Sequence, residues 1–114
     1  MSESLVEWKK VIGFFKRKFT DGEHPDMDTI LFLIGVQELG GIKKQFTRDD
    51  KINLMHVATC KLLEPFGYYK FEKTDHETWP HYQQLKSMSA LLPEQQDKLI
   101  KDAIIRYFKT NGLI

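Results

Sequence analysis

An unbroken apolar run over residues 30–36 restricts the fold more than any other part of the sequence. Asp28 lies just before the run, and Gly40 with Gly41 follows it. An acidic residue in the first turn and a glycine after the last turn are typical of helix ends. We therefore predict a central apolar helix at about 27–40, enclosed by other helices on most of its circumference.

The same run bears on membrane insertion. A transmembrane helix needs about 20 consecutive apolar residues, whereas this run ends at Gln37 and Glu38. We therefore expect no membrane-spanning segment and no membrane partner.

Other parts of the chain also carry helix patterns. Thr47 and Asp50 have the spacing of a capping box, and Pro65 ends the apolar pattern that follows them. Pro80 is suited to the first turn of a short helix that reaches about Met88. With the central helix, the predicted helices are 2–19, 27–40, 48–64, 80–88 and one that begins at Pro93 and stops at Asn111 and Gly112.

The segment between the third and fourth predicted helices is rich in aromatic side chains. We interpret residues 65–80 as a structured loop, because a single extended segment with no evident partner strand cannot form a sheet. Tyrosine, tryptophan and histidine combine an apolar ring with a polar group that can face a ligand or a protein. The candidate binding residues in and beside this loop are Tyr68, Tyr69, Asp75, His76, Trp79 and His81. The same aromatic rings could instead cover the helix ends as part of the core.

Together these patterns predict an all-α fold. We expect a compact bundle of four to five helices with the central apolar helix in its middle and the aromatic loop at one side. A chain of 114 residues is long enough to bury a core of its own, so we expect one helical domain over 1–114.

Charge and cysteine content exclude several classes of protein. The net charge is +1 with only three arginines, and a nucleic-acid-binding surface draws most of its affinity from an excess of basic residues. We expect no nucleic-acid partner. Cys60 is the only cysteine, so an internal disulfide is impossible, and the N-terminus lacks the apolar segment of a secretory signal. A cytoplasmic location is the expectation.

Reactive side chains concentrate in two windows. His56 and Cys60 lie one turn apart on the third predicted helix, close enough to bind one ion or to act as thiol and base. Asp75, His76 and His81 occupy the aromatic segment. His56, Cys60, His76 and His81 are thus weak metal-ligand candidates, although a half-buried histidine and a buried free cysteine are commonly structural.

Two classes of function follow from these features. The first is a non-catalytic interaction or structural module that uses residues 66–82 to bind a protein partner or a second copy of the chain. The alternative is a metal- or small-ligand-binding protein or enzyme whose site joins His56 and Cys60 to Asp75, His76 and His81. The chain lacks the GxSxG, GxGxxG and GxxxxGK[ST] motifs. We assign no catalytic residue and no cofactor.

Overall fold

The structure is a computed structural model that describes residues 3–39, 46–76 and 79–114. Its elements in chain order are α1 (Glu3–Lys18), α2 (Met27–Leu39), α3 (Arg48–Leu63), β1 (Tyr69–Thr74), β2 (Pro80–Gln84) and α4 (Pro93–Thr110), with 3-10 turns at Glu64–Phe66 and Met88–Ala90. The chain forms two compact units, one of Met1–Asp26 with Leu91–Ile114 and the other of Met27–Ala90. The expectation of one domain over 1–114 stays a prediction.

The first unit is held together by aromatic side chains of α1 and α4. Phe108 of α4 lies with its ring centroid 5.0 Å from that of Phe14 and 5.5 Å from that of Phe15. Phe15 and Phe108 are almost fully buried, and Lys109 forms an ion pair with Glu7 across the two helices. Aromatic packing between the two helices therefore supplies much of this unit's core.

The second unit is built on the contact between α2 and α3. Gly35 lies so close to α3 that a Cβ atom there would be 2.1 Å from the carbonyl oxygen of Leu54. Ile30, Ile34 and Leu54 are buried beside this contact. Only a glycine allows the two backbones to approach this closely.

The predicted central helix exists, but it is less enclosed than expected. Its observed range is Met27–Leu39, and Gly40 and Gly41, the predicted C-terminal stop, lie outside the described residues. Only Ile30, Ile34 and Gly35 of α2 are buried. The other apolar side chains of the run are half-buried, so the helix buries one face rather than its whole circumference.

The start of α3 agrees with the sequence. The hydroxyl of Thr47 accepts a hydrogen bond from the main-chain N–H of Asp50, and the Asp50 carboxylate accepts one from the N–H of Thr47. The predicted capping box is therefore confirmed, and it fixes the first turn of α3.

The prediction of an all-α bundle is wrong, because residues 69–84 contain a β-hairpin. β1 and β2 form a two-stranded antiparallel sheet, which replaces both the predicted aromatic loop at 65–80 and the predicted helix at 80–88. The strand that lacked an evident partner is paired with the segment that begins at Pro80. Proline is compatible with the first residue of an edge strand as well as with the first turn of a helix, and the sequence alone favoured the helix.

Candidate functional site

The hairpin formed by β1 and β2 is positioned by the end of α3. After Leu63 the chain makes a 3-10 turn and then passes through Gly67, whose φ of 84° lies in the left-handed region. A residue without a side chain adopts this conformation at little cost. The turn directs β1 back along α3, and both strands contact that helix.

Three aromatic rings lie on the face of the hairpin that is directed towards α3. Tyr69 and Phe71 are two residues apart on β1 and so share a face, and Phe71 is paired with Tyr82 of β2. The rings of Phe71 and Tyr82 are 5.6 Å apart and nearly perpendicular. Tyr69 contacts the ring of His56 on α3 edge to face, with 6.2 Å between centroids.

Asp75 joins the ends of the two strands. Its carboxylate Oδ1 accepts a hydrogen bond from the main-chain N–H of Trp79 at 3.0 Å, and its own N–H donates to the Trp79 carbonyl at 2.9 Å. The second oxygen, Oδ2, lies 2.8 Å from Nε2 of His81. These hydrogen bonds give Asp75 a structural role in the hairpin, and neighbouring His76 is exposed.

His56 and Cys60 are close together, as their helical spacing predicts. The Sγ atom of Cys60 lies 3.5 Å from Nε2 of His56, and Cys60 is only 1% exposed. Burial raises the pKa of the thiol to about 11. A nucleophilic or metal-binding cysteine needs the opposite shift, because the thiolate is the reactive form.

The structure therefore arranges the predicted ligands as pairs. His56 lies beside Cys60, and Asp75 lies beside His81. Among the residues that the structure describes, no group of three or more histidine, cysteine, aspartate and glutamate side chains could hold a metal ion.

Tyr68 and Trp79, the other predicted binding residues, lie at the two ends of the hairpin. The ammonium group of Lys86 lies 4.4 Å from the centre of the Tyr68 ring, a cation–π contact. Trp79 is half-buried and is held by its main-chain hydrogen bonds to Asp75. Both Tyr68 and Trp79 are therefore half-buried residues of the second unit.

A cavity beside the hairpin contains residues that the sequence analysis did not select. We call it the hairpin cavity; its volume is about 530 Å³, and it is lined by Glu38, Lys61, Glu64, Phe71, Thr74, Pro80 and Tyr82. This volume falls within the range of small-molecule and side-chain pockets. Glu38 and Lys61 could not have been assigned to it without the fold, because the cavity exists only once α2, α3 and the hairpin meet.

Glu64 links α3 to the hairpin at this cavity. Its carboxylate Oε2 accepts a hydrogen bond of 2.8 Å from the main-chain N–H of Phe71. The Phe71 N–H therefore points away from β2, and Glu64 caps a donor on the outer edge of β1. A covered edge donor reduces the tendency of a sheet edge to pair with other chains.

The Tyr82 hydroxyl group lies in an acidic environment. Burial, followed by the negative charges of Glu64 and Glu38 and by that of Cys60 once its thiol has ionised, raises the pKa of Tyr82 to about 12. The hydroxyl group is therefore neutral at physiological pH and retains a proton that it can donate.

The described helices do not have the combination of length and apolar composition that crossing a lipid bilayer requires. The chain matches no protein-family model, no curated protein and no solved structure.

Proposed function

We propose that this protein is a non-catalytic interaction module that binds another protein through the side of the hairpin that opens at the hairpin cavity. The observation that carries this proposal is the exposure of Phe71, a residue that is 43% accessible although its ring lies beside that of Tyr82 at the cavity. Aromatic side chains are enriched at the centres of protein interfaces. Leu85, just after β2, adds a second exposed apolar side chain.

The state of the reactive side chains favours binding over catalysis. The Cys60 thiol is buried and has a raised pKa, and the Asp75 carboxylate is hydrogen-bonded to Trp79 and His81. A catalytic group needs access to substrate and a pKa suited to its task. The alternative site of His56, Cys60, Asp75, His76 and His81 ranks second. Four of these residues form two separate pairs, and no group of three or more that could hold a metal ion is found among the described residues.

The proposal also covers the class of partner and the location. A protein is favoured over a nucleic acid because the net charge of the chain is only +1. A single, buried, reduced cysteine is typical of cytoplasmic proteins. The partner can be a different protein or a second copy of this chain.

The test compares Phe71→Ala with Ile52→Ala. Both side chains are exposed, at 43% and 56%, so neither substitution should unfold the protein. Proteins that copurify with the wild-type chain from its native cells would be identified, and each would be purified and titrated against the three forms by calorimetry. We expect Phe71→Ala to lower the affinity for the true partner about tenfold or more. Ile52→Ala should leave that affinity unchanged.

Self-association is measured in the same series by sedimentation velocity. A dimer that Phe71→Ala dissociates and Ile52→Ala does not would identify a second copy as the partner. Equal behaviour of the two variants in both assays would contradict the proposal, since the hairpin would then make no contribution to binding.

A further inference from the structure

The residues that follow α4 include a pair that is prone to chemical change. Asn111 is followed directly by Gly112, and both are exposed. The side-chain amide of an asparagine can be attacked by the main-chain nitrogen of the next residue, and asparagine is counted among the thermolabile residues. A glycine in the next position favours this attack, because it has no side chain to obstruct the approach and adopts the widest range of backbone conformations.

Asn53, the other asparagine of the chain, provides an internal comparison. It is exposed like Asn111, but it lies within α3 and is followed by Leu54. Leu54 is fully buried, and its main-chain nitrogen belongs to the hydrogen-bonded interior of a helix. Both side-chain amides are therefore exposed, whereas the access of the attacking nitrogen differs between the two sites.

A Schellman cap holds Gly112 in place. Its φ of 69° lies in the left-handed region. Its N–H donates to the Lys109 carbonyl at 3.1 Å, and the Leu113 N–H donates to the Phe108 carbonyl at 2.8 Å. These two hydrogen bonds and the left-handed glycine define this kind of helix end. While the cap is formed, the nitrogen that would attack Asn111 is engaged as a donor.

Asn111 is also held in a conformation that does not react. Its Nδ2 atom donates to the Tyr107 carbonyl at 2.8 Å, so the side chain is turned back along α4. Its ψ is 6°, and at a ψ near zero the nitrogen of Gly112 eclipses that of Asn111 and lies away from Cβ. A five-membered ring through Cβ, Cγ and the Gly112 nitrogen can close only after ψ has changed greatly. The reaction therefore requires the end of α4 to open.

This opening does not need the core of the first unit to unfold. Residues 109–114 are all exposed, whereas Tyr107 and Phe108 just before them are buried. Helix ends fray, and a segment with exposed main-chain hydrogen bonds and few buried contacts opens at a small free-energy cost. The reactive conformation is therefore available to the folded protein.

We propose that Asn111 is a site of spontaneous deamidation, and that opening of the Schellman cap controls its rate. The nitrogen of Gly112 loses its proton to hydroxide and bonds to Cγ of Asn111. The Cγ–Nδ2 bond breaks, and the amide nitrogen leaves as ammonia after taking a proton from water. A second water molecule opens the resulting succinimide at either carbonyl group, which leaves aspartate or isoaspartate at position 111. This inference is independent of the proposed interaction function.

Either product weakens the cap from which it arises. An aspartate has no N–H to donate to the Tyr107 carbonyl, and it places a negative charge at the C-terminal end of α4, where the helix dipole is unfavourable to it. An isoaspartate adds a methylene group to the main chain, which shifts Gly112 and Leu113 out of register with their acceptors on α4. Deamidation should therefore leave this end of α4 permanently frayed.

The experiment follows the full-length protein over weeks at physiological pH and temperature, folded in buffer and unfolded in guanidinium chloride. Peptide mapping by mass spectrometry measures the conversion of Asn111 and of Asn53, and chromatography separates aspartate from isoaspartate. In the folded protein we expect conversion at Asn111 and not at Asn53, with both products present. The folded rate at Asn111 should be about tenfold lower than the unfolded rate, because the cap must open first.

Two variants of the residue before Asn111 test the role of the cap. Thr110→Gly favours fraying of the last turn, and Thr110→Ala removes the same side chain but introduces a good helix former. We expect the folded rate at Asn111 to be about threefold to fivefold higher in Thr110→Gly than in Thr110→Ala. In guanidinium chloride the two variants should react at equal rates.

Three results would overturn the proposal. Conversion of Asn111 no faster than that of Asn53 in the folded protein would show that Asn111 is not a specific site. Equal rates in the folded and unfolded protein would show that the cap does not control the reaction. Equal folded rates in Thr110→Gly and Thr110→Ala would lead to the same conclusion.

Discussion

Gly35 of α2 faces the main chain of Leu54 on α3 so closely that a Cβ atom at position 35 would lie 2.1 Å from the Leu54 carbonyl oxygen and 2.7 Å from its carbonyl carbon. Both atoms belong to the backbone of a helix and cannot rotate away. The shape of the second unit therefore depends on the absence of a side chain at this position.

Gly35→Ala should destabilise the protein by about 2 to 3 kcal/mol, because α2 and α3 must separate to admit the methyl group. The higher helix propensity of alanine offsets about 1 kcal/mol at most. Chemical denaturation measures the difference. The matched control is Gly13→Ala in α1, where the nearest atom is the end of the Arg17 side chain at 3.2 Å. That side chain can move, so Gly13→Ala should be neutral or slightly stabilising, and equal losses at both positions would contradict the steric argument.

Local signals in the sequence predicted the four α-helices that the structure describes, but they also predicted a helix at 80–88, where the structure has a strand. The capping box of Thr47 and Asp50 involves residues three apart, and the observed start of α3 follows it directly. The apolar run likewise predicted α2, observed at Met27–Leu39. Interactions within one turn depend little on the rest of the chain, which is why these predictions succeeded.

The hairpin and its cavity depend on contacts that are distant in sequence. Tyr69 and Phe71 alternate with charged residues in the manner of a strand, but pairing with Pro80–Gln84 requires a register that local patterns do not specify. The register also shifts between Phe71 and Lys73, so Glu72 has no partner residue on β2. Glu38 reaches the cavity only through the packing of α2 on α3.

Asp75→Ala should cost more stability than His81→Ala. Removing the Asp75 side chain eliminates both the hydrogen bond from the Trp79 N–H and the contact with His81. Removing the His81 side chain eliminates only the latter, a contact in which the histidine side chain is 50% exposed. We expect a loss of about 1 to 2 kcal/mol for Asp75→Ala and less than about 1 kcal/mol for His81→Ala.

The hairpin should report the same difference locally. Amide hydrogen exchange within β1 and β2 should accelerate in Asp75→Ala and change little in His81→Ala. Equal acceleration in the two variants would show that the His81 contact, rather than the bond to Trp79, holds the strand ends.

Glu64→Gln should lower the pKa of Tyr82. Burial is the main cause of the raised pKa, and the charge of Glu64 is the next. A glutamine leaves the burial unchanged and removes the charge, so the pKa should fall from about 12 but remain above the ordinary value of 10.0. NMR titration of selectively labelled tyrosine resolves Tyr82 from the other tyrosines. Glu72→Gln serves as the control, and an unchanged Tyr82 pKa in Glu64→Gln would place the carboxylate too far away to line the same cavity.

Cys60 should make the stability of the protein decrease in alkaline solution. Burial raises the pKa of its thiol from 9.0 to about 11, so the folded state holds the proton more tightly than the unfolded state does. The resulting contribution to stability is complete below pH 9.0 and is lost as the pH rises towards about 11. Its size is about 3 kcal/mol for a rise of the pKa from 9.0 to about 11.

Cys60→Ala isolates this contribution, because alanine fills part of the same site and does not titrate. The variant should be less stable at neutral pH, where it loses packing, yet the free-energy difference between variant and wild type should shrink from pH 9.0 towards about 11. Urea denaturation at a series of pH values measures that difference. The lysines common to both proteins cancel in it, and Tyr69 and Tyr82, whose pKa values Cys60 helps to raise, are titrated separately in both proteins by NMR. A difference that stays constant over this range would mean that the thiol ionises as readily in the folded protein as in the unfolded chain, and that the surroundings of Cys60 do not exclude the thiolate.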